Sequence, residues 1–232
     1  MPKSVAILQS NYIPWKGYFD LIRKVDLFIF YDDLQYTKND WRNRNKIKTP
    51  MGARWLTIPC GSSWNRLINE VRVDNASWQK KHFDTLKQHY AAAPYWKTYA
   101  PFLEEVYLGE NWEYLSDLNQ TVIKRISQAF LGITTEFDNS ERYHLTASKG
   151  ERVLQLLERV GATHYVSGPA AKSYLVEDEF VTRGITLEFM DYAGYPKYPQ
   201  LYPPFEPAVT ILDMLLNLGP ATLEYMQPAD KR

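Results

Sequence analysis

Tyr31-Asp-Asp-Leu-Gln-Tyr36 holds the densest chemistry in the chain. Asp32 and Asp33 are adjacent carboxylates placed directly after the apolar, β-rich run Asp26–Tyr31. Such a pair can bind a cation, accept hydrogen bonds from sugar hydroxyls, or act as a general base. The next twenty or so residues carry Lys38, Arg42, Arg44, Lys46, Lys48 and Arg54 against one acid, Asp40, with Gln35, Trp41, Asn43 and Asn45 interleaved. The planar fork of Arg suits bidentate contact with carboxylate or phosphate, and Asn donates and accepts together. The pattern reads as an anion site for the phosphate of a nucleotide, a nucleotide-sugar or a tRNA end. The plainer alternative is a solvated basic loop paired with nearby acids.

Two further constellations stand later in the chain. In Tyr165-Val-Ser-Gly-Pro-Ala-Ala-Lys-Ser-Tyr174, a strand runs into Ser167-Gly168, and Lys172 follows four positions after the glycine. Backbone N–H groups plus a cation can meet an anion there; an ordinary strand-to-helix turn explains the residues equally well. Tyr195-Pro-Lys-Tyr-Pro-Gln-Leu-Tyr202 is a proline-stiffened arm that can turn its tyrosines and Gln200 onto a ligand or simply cover the core. Thr210, Asp213 and Asn217 form a polar stripe at helical spacing, whose default explanation is a solvent-facing stripe and whose alternative is Asp213 pointing into a cleft.

Several chemistries are missing. The four histidines are scattered without metal-ligand spacing, so no tightly bound metal is expected. Cys60 stands alone, which rules out an intrachain disulfide and fits a small buried hydrophobe in a reducing, cytoplasmic setting. There is no G-x-G-x-x-G and no G-x-S-x-G. A net charge of +0 gives no bulk attraction to nucleic acid, so a tRNA partner is allowed but not indicated. No stretch approaches the roughly 20 apolar residues of a membrane span.

The elements that must position these groups can be placed from periodicity. Lys3–Leu8 reads as a buried strand, Trp15–Lys24 as a helix begun after Pro14, and Asp26–Tyr31 as a second strand. Strand, helix and strand make a βαβ unit with parallel pairing. Gln9, Asn11 and Tyr12 then fall beside Asp32 at the carboxyl ends of neighbouring strands, the ligand edge of open α/β sheets. Gln35–Arg54 reads as a long polar segment before the strand Trp55–Pro59, and Val71–Val73 as a weak strand. Helices are expected from Ser77 to about Tyr90, over Thr98–Tyr107 and over Trp112–Leu131. Ser148 to Glu151 reads as a capping box opening a helix to Val160. Thr163–Ser167 and Ile185–Met190 are two more strands, Thr210–Leu218 is a last helix, and PADKR is a frayed tail. The fold class is α/β: an open, mostly parallel, Rossmann-like sheet in a single domain, with core segments 1–75 and 145–227 and a helical insert at about 76–135.

LQSNYIPWKGYFDLI, DLFIFYDDLQYTKNDWRNRNKIKT, GARWLTIP, GATHYVSGPAAKSYL and YPQLY…FEP…ILDMLLNLGP together resemble the WbqC-like family of bacterial proteins, in family order across almost the whole chain. Ser10 departs from it, standing where that family generally reads Gln-Pro. The resemblance implies a place in O-antigen or other surface-polysaccharide synthesis and a glycyl- or aminoacyl-transferase role. A weaker likeness ties the first half to HUP-type nucleotidylyl transferases and class I aminoacyl-tRNA synthetases. Trp15-Lys-Gly-Tyr18 stands where those enzymes carry H-x-G-H, so the likeness implies fold and ligand location and not adenylyl transfer. Gly17 would admit a nucleotide closely, and Lys172 is similar in place to a mobile lysine loop.

The resulting expectation is a transferase moving a small acyl or aminoacyl group from an activated, phosphate-bearing donor to a sugar acceptor. Lys38, Arg42 and Arg44 would hold phosphates, and Asp32 or Asp33 would take the acceptor proton. Trp15, Tyr18 and Trp41 would stack on base or sugar, while Lys172 and the Ser167-Gly168 turn would stabilise negative charge. The alternatives are a non-catalytic nucleotide- or tRNA-end-binding protein of the same pathway, and a structural partner held through the aromatic arm.

Overall fold

Strand β1 (Ser4–Leu8) alternates its side chains between two cores. Val5 and Ile7 pack on one side of the sheet and Ala6 on the other. In β2 (Leu27–Phe30), Leu27 and Ile29 join the first core, and Phe28 and Phe30 the second. Burial on both faces is what makes parallel strands read as continuous apolar runs. Helix α1 (Lys16–Arg23) connects them and lies on the Ala6 face. The computed structural model describes residues 3–63, 65–74 and 77–226, and the PADKR tail lies outside them.

Between β2 and the next sheet strand, the chain builds a hairpin and a group of helices. The hairpin is β3 (Arg44–Thr49) and β4 (Gly52–Thr57), antiparallel, with Lys46 opposite Trp55. Gln35–Arg54 is therefore not simply a loop. Its strand signal is masked because Asn45 sits among the inward positions that period-2 reading expects to be apolar, and Asn45 is 3% exposed. Helices α2 (Ser77–Tyr90), α3 (Trp96–Glu104) and α4 (Leu115–Arg125) follow, the last two continued by single π turns. Val71–Val73 is reduced to one bridge, Arg72 to Tyr114.

The sheet then resumes with β5 (Glu136–Asn139), helix α5 (Lys149–Arg159), β6 (His164–Ser167), the short helix α6 (Glu177–Val181) and β7 (Thr186–Phe189). All strand pairs in it are parallel, in the order β5-β2-β1-β6-β7. This is an open Rossmann-like α/β sheet, with residues of α5 and α6 packed in the Val5–Ile7 core. The capping box at α5 does not form. Ser148 makes no side-chain cap, and Glu151 pairs with Arg183 at 2.9 Å.

The last helix, α7 (Ile211–Leu218), is buried along its whole length. The Thr210, Asp213 and Asn217 stripe faces the interior, not solvent. Asp213 is tolerated there because Tyr90 and Tyr198 donate hydroxyls to it at 2.8 and 2.6 Å and Gln200 donates its carboxamide at 2.9 Å. Gln200 thus ties the proline-rich arm to α7.

Candidate functional site

The sheet winds outward from β1 in both directions, β2 and β5 to one side and β6 and β7 to the other. In open parallel sheets, the crevice at that reversal, beyond the carboxyl ends of the strands, is where ligands bind. β1 pairs with β6 at Ser4–His164 and Val5–Tyr165, whereas β1 stays paired with β2 through Leu8–Phe30. β1 and β6 therefore part toward their carboxyl ends. A cavity of 570 Å³ opens at this switch point, inside the range of about 300–1,000 Å³ usual for small-molecule sites.

The wall of the switch-point cavity combines Gln9, the rings of Tyr31, Tyr165 and Tyr174, the start of α5 at Ser148–Gly150, and Arg152. The unpaired N–H groups of a helix start favour an anion. Tyr31 is 8% exposed, yet its hydroxyl has no hydrogen-bond partner among the described residues. Burial pushes that phenol up to about 12, so it is a neutral donor. Ser167, buried beside Tyr165, donates to the Tyr165 hydroxyl at 3.3 Å. Gly168 continues the chain in extended conformation, and Lys172 is exposed with its ammonium 5.4 Å from the Phe189 ring centre.

A second cavity, of 200 Å³, lies at the ends of β2 and β5. It is lined by Asp32, Asp33, Asp117 and Glu141 together with polar side chains such as Asn69 and Gln120. Asp32 is 3% exposed. Its Oδ1 accepts the Ser10 N–H at 2.7 Å and its Oδ2 the Gln120 carboxamide at 2.9 Å. Burial raises its carboxyl above the ordinary range, opposed by those two hydrogen bonds. Asp33 accepts from Ser140 Oγ and pairs with Arg152, each at 2.5 Å. Its charge is neutralised, whereas Asp32 makes no ion pair among the described residues and feels a cation, Arg42, only at longer range. The Asp33–Arg152 pair links the linings of the two cavities, since Asp33 lines the acidic one and Arg152 the switch-point one.

A third cavity, of 270 Å³, is lined by Trp15, Trp41, Asn11, Asn45, Pro14 and Ala208. The structure thus brings Trp15 and Trp41 together, in a cavity that neither Asp32 nor Asp33 lines. The loop Gln9–Pro14 runs between: Gln9 reaches the switch-point cavity, Ser10 holds Asp32, and Asn11 faces the tryptophans. That loop contains Ile13 at φ +36°, a left-handed conformation rare for a β-branched residue. It is imposed from outside. Asn45 donates to the Tyr12 and Ile13 carbonyls at 3.1 and 2.9 Å, and the Tyr12 N–H donates to the Trp41 carbonyl at 2.9 Å. Strain held this firmly gathers at functional sites.

The remaining expected residues have other duties. Asn43 donates to the Ile58 carbonyl at 2.9 Å, and Tyr18, 2% exposed, donates to the Gln9 carbonyl at 3.0 Å. Arg42 donates to Asn11 Oδ1 and lies 3.4 Å from Asp40. Arg44 lies on the Trp55 ring, and Gln35 and Lys38 are exposed. A Cβ on Gly17 would sit 2.4 Å from the Trp15 ring, so the glycine makes room for that indole. Sequence reading passed over Tyr31, Gln120, Ser140 and Arg152. Only Tyr31, next to the acidic pair, carried a local signal; Arg152 meets Asp33 across 119 positions.

The geometry defines an open, doubly wound α/β protein whose ligand edge holds an anion-favouring cavity beside an acid-lined one. The chain belongs to the WbqC-like protein family, which matches residues 9–225. It is also similar to the uncharacterized protein Rv1507c of Mycobacterium tuberculosis, 46% identical over 227 residues that span 97% of this chain and 98% of that one. No solved structure matches it at a significant level. Among the described residues, no helix is long and apolar enough to cross a membrane, and no group of three or more His, Cys, Asp or Glu side chains is placed to hold a metal ion.

Proposed function

We propose that the protein is a transferase of bacterial surface-polysaccharide synthesis that moves a small acyl or aminoacyl group, glycyl included, from an activated phosphate-bearing donor to a sugar precursor. The observation carrying this reading is the pair of unlike cavities whose linings meet at one ion pair, Asp33 with Arg152. The donor occupies the switch-point cavity, its phosphate facing the start of α5 and Arg152. The acceptor occupies the acidic cavity, where carboxylates and carboxamides accept from its hydroxyl or amino groups. The acceptor oxygen or nitrogen attacks the acyl carbon, and a new C–O or C–N bond forms. The bond from acyl group to carrier breaks, the carrier leaves with the electron pair, and the acceptor proton passes to Asp32. A raised carboxyl suits that role, because a base works best with its pKa near the working pH. The pathway assignment rests on the family resemblance.

A thermal-shift screen with nucleotides, nucleotide-sugars, acyl-CoA and aminoacyl donors tests the donor site. A ligand at about 100 times its dissociation constant adds roughly 2.7 kcal/mol of stability. Loss of that shift in Arg152→Ala, with product formation lost in Asp32→Asn, is the expected result. Undiminished turnover in Asp32→Asn removes the proposed base. A second reading, a non-catalytic binder of nucleotides or tRNA ends, draws on Trp15 and Tyr18 in place of a histidine pair, and it predicts binding without product.

A further inference from the structure

The outer face of the β3–β4 hairpin and the turn before it carry two exposed tryptophans, with Arg44 and Lys46 beside them in no ion pair among the described residues. Trp41 and Trp55 are 44% and 39% exposed, and their ring centres lie 5.4 Å apart. The Arg44 guanidinium sits 4.3 Å from the Trp55 ring centre and the Lys46 ammonium 5.0 Å from it. Arg54 and Lys81 line a further cavity, of 430 Å³, that Trp55 shares, while Trp41 borders the tryptophan cavity. Asp40 is the single acid between Lys38 and Thr57, and it is taken up by Thr37 and Arg42. A chain of net charge +0 has concentrated cations and flat rings on one strip, with a hollow at either tryptophan.

We propose that this strip binds a single-stranded nucleic-acid segment. Alternating aromatic and cationic side chains along a groove are what unpaired strands need: bases stack on the rings and phosphates pair with the cations. Arg44 decides between anionic polymers. A saccharide packs its C–H face on a bare aromatic ring, but here the Arg44 guanidinium lies 4.3 Å from the Trp55 ring centre, on a ring that still keeps exposed surface. The guanidinium plane stacks on a base and pairs with a phosphate in the same geometry. The surface rests on neither cavity at the sheet edge, so it stands or falls apart from the transfer reading.

Fluorescence anisotropy of the full chain with labelled RNA of about eight nucleotides tests it. Single strands should bind more tightly than a duplex of the same length. Trp41→Ala and Trp55→Ala should each weaken binding about tenfold at unchanged melting temperature. Trp55→Phe, which keeps a ring, should retain most of the affinity and controls for misfolding. Lys46→Ala and Lys81→Ala should each flatten the slope of log affinity against log salt by about 0.7. Asp32→Asn should bind RNA normally even where transfer is lost. The proposal is overturned by absence of RNA binding at low salt, by tryptophan variants that bind as wild type, or by a uronic-acid polymer that binds where RNA does not.

Discussion

Asp32 and Asp213 are both almost wholly buried, at 3% and 0% exposure, and burial raises both carboxyls. Their surroundings separate them. Asp213 receives two tyrosine hydroxyls and a carboxamide in the interior between α7, α2 and the proline-rich arm. Asp32 receives one backbone N–H and one carboxamide and lines an open cavity. Burial and a displaced pKa therefore do not mark a functional acid by themselves. What distinguishes the rim from the scaffold is access: a charged group that a small molecule can reach, held by donors that leave lone pairs free.

The sharpest way to break this comparison is to remove each acid in turn. Asp32→Asn should lower transfer by about 10²- to 10⁴-fold and cost no more than about 1 kcal/mol of stability, because Gln120 can turn its carboxamide to suit the new amide. Asp213→Ala should do the opposite. It leaves the two buried tyrosine hydroxyls without their acceptor, at roughly 1–3 kcal/mol each, while Gln200 keeps the Glu206 carbonyl, so urea unfolding should show a loss of about 2 kcal/mol or more. If the two variants exchange these phenotypes, the division into rim and scaffold is wrong. The pH profile adds a check on sign: a raised Asp32 carboxyl must lose its proton before it can act, so the acidic limb of the rate should lie above the ordinary aspartate range of about 4.

The next largest effect belongs to the scaffold beneath the strained loop. Tyr12 is hydrogen-bonded to His82 at 2.8 Å and to Tyr107 at 2.6 Å, all three buried. Burial pulls the His82 imidazole down to about 4. Between about pH 6.5 and 4 the unfolded chain takes up a proton that the folded chain refuses. Stability present above pH 6.5 is thus lost as pH falls through that window, by roughly 3 kcal/mol. Unfolding free energies at pH 7 and pH 4.5 should show the loss in wild type and not in His82→Gln; equal slopes in the two proteins would dismiss His82 as the cause.

These cases show how much sequence could reveal. The parallel sheet was readable because β1, β2, β6 and β7 are short apolar runs with clear limits, and so was the placing of Gln9, Asp32 and Ser167 at one edge. The hairpin was hidden by Asn45, whose inward position is spent on the Tyr12 and Ile13 carbonyls. Asp213 looked like part of a solvent stripe because its three donors come from distant segments. Asp33 looked like a free base because Arg152 lies 119 residues away. Pairings of that span have no local signature. Gly17 carries a related lesson, since the added Cβ would meet an indole at 2.4 Å and not an open site. Gly17→Ala should displace Trp15 and cost about 1–3 kcal/mol, with a changed near-ultraviolet signal. An unchanged Trp15 signal with full stability would return the glycine to a ligand-facing role.

The smallest expected effect is the most discriminating. Tyr90 and Tyr198 spend their hydroxyls on Asp213, whereas the Tyr31 hydroxyl has no hydrogen-bond partner among the described residues and Tyr31 lines the switch-point cavity. Removing a hydroxyl that has no internal partner leaves no buried group unsatisfied, so Tyr31→Phe should unfold within about 0.5 kcal/mol of wild type. If a donor molecule occupies the cavity, the same change deletes one ligand hydrogen bond worth about 0.5–1.5 kcal/mol, and affinity should fall about two- to tenfold. Tyr198→Phe should show the reverse balance, losing stability and keeping affinity. Calorimetric titration of the best donor from the thermal-shift screen against both variants reads the two quantities side by side. Equal affinity in wild type and Tyr31→Phe would mean that the ligand does not enter between β1 and β6, and the anion-favouring start of α5 would then need another occupant.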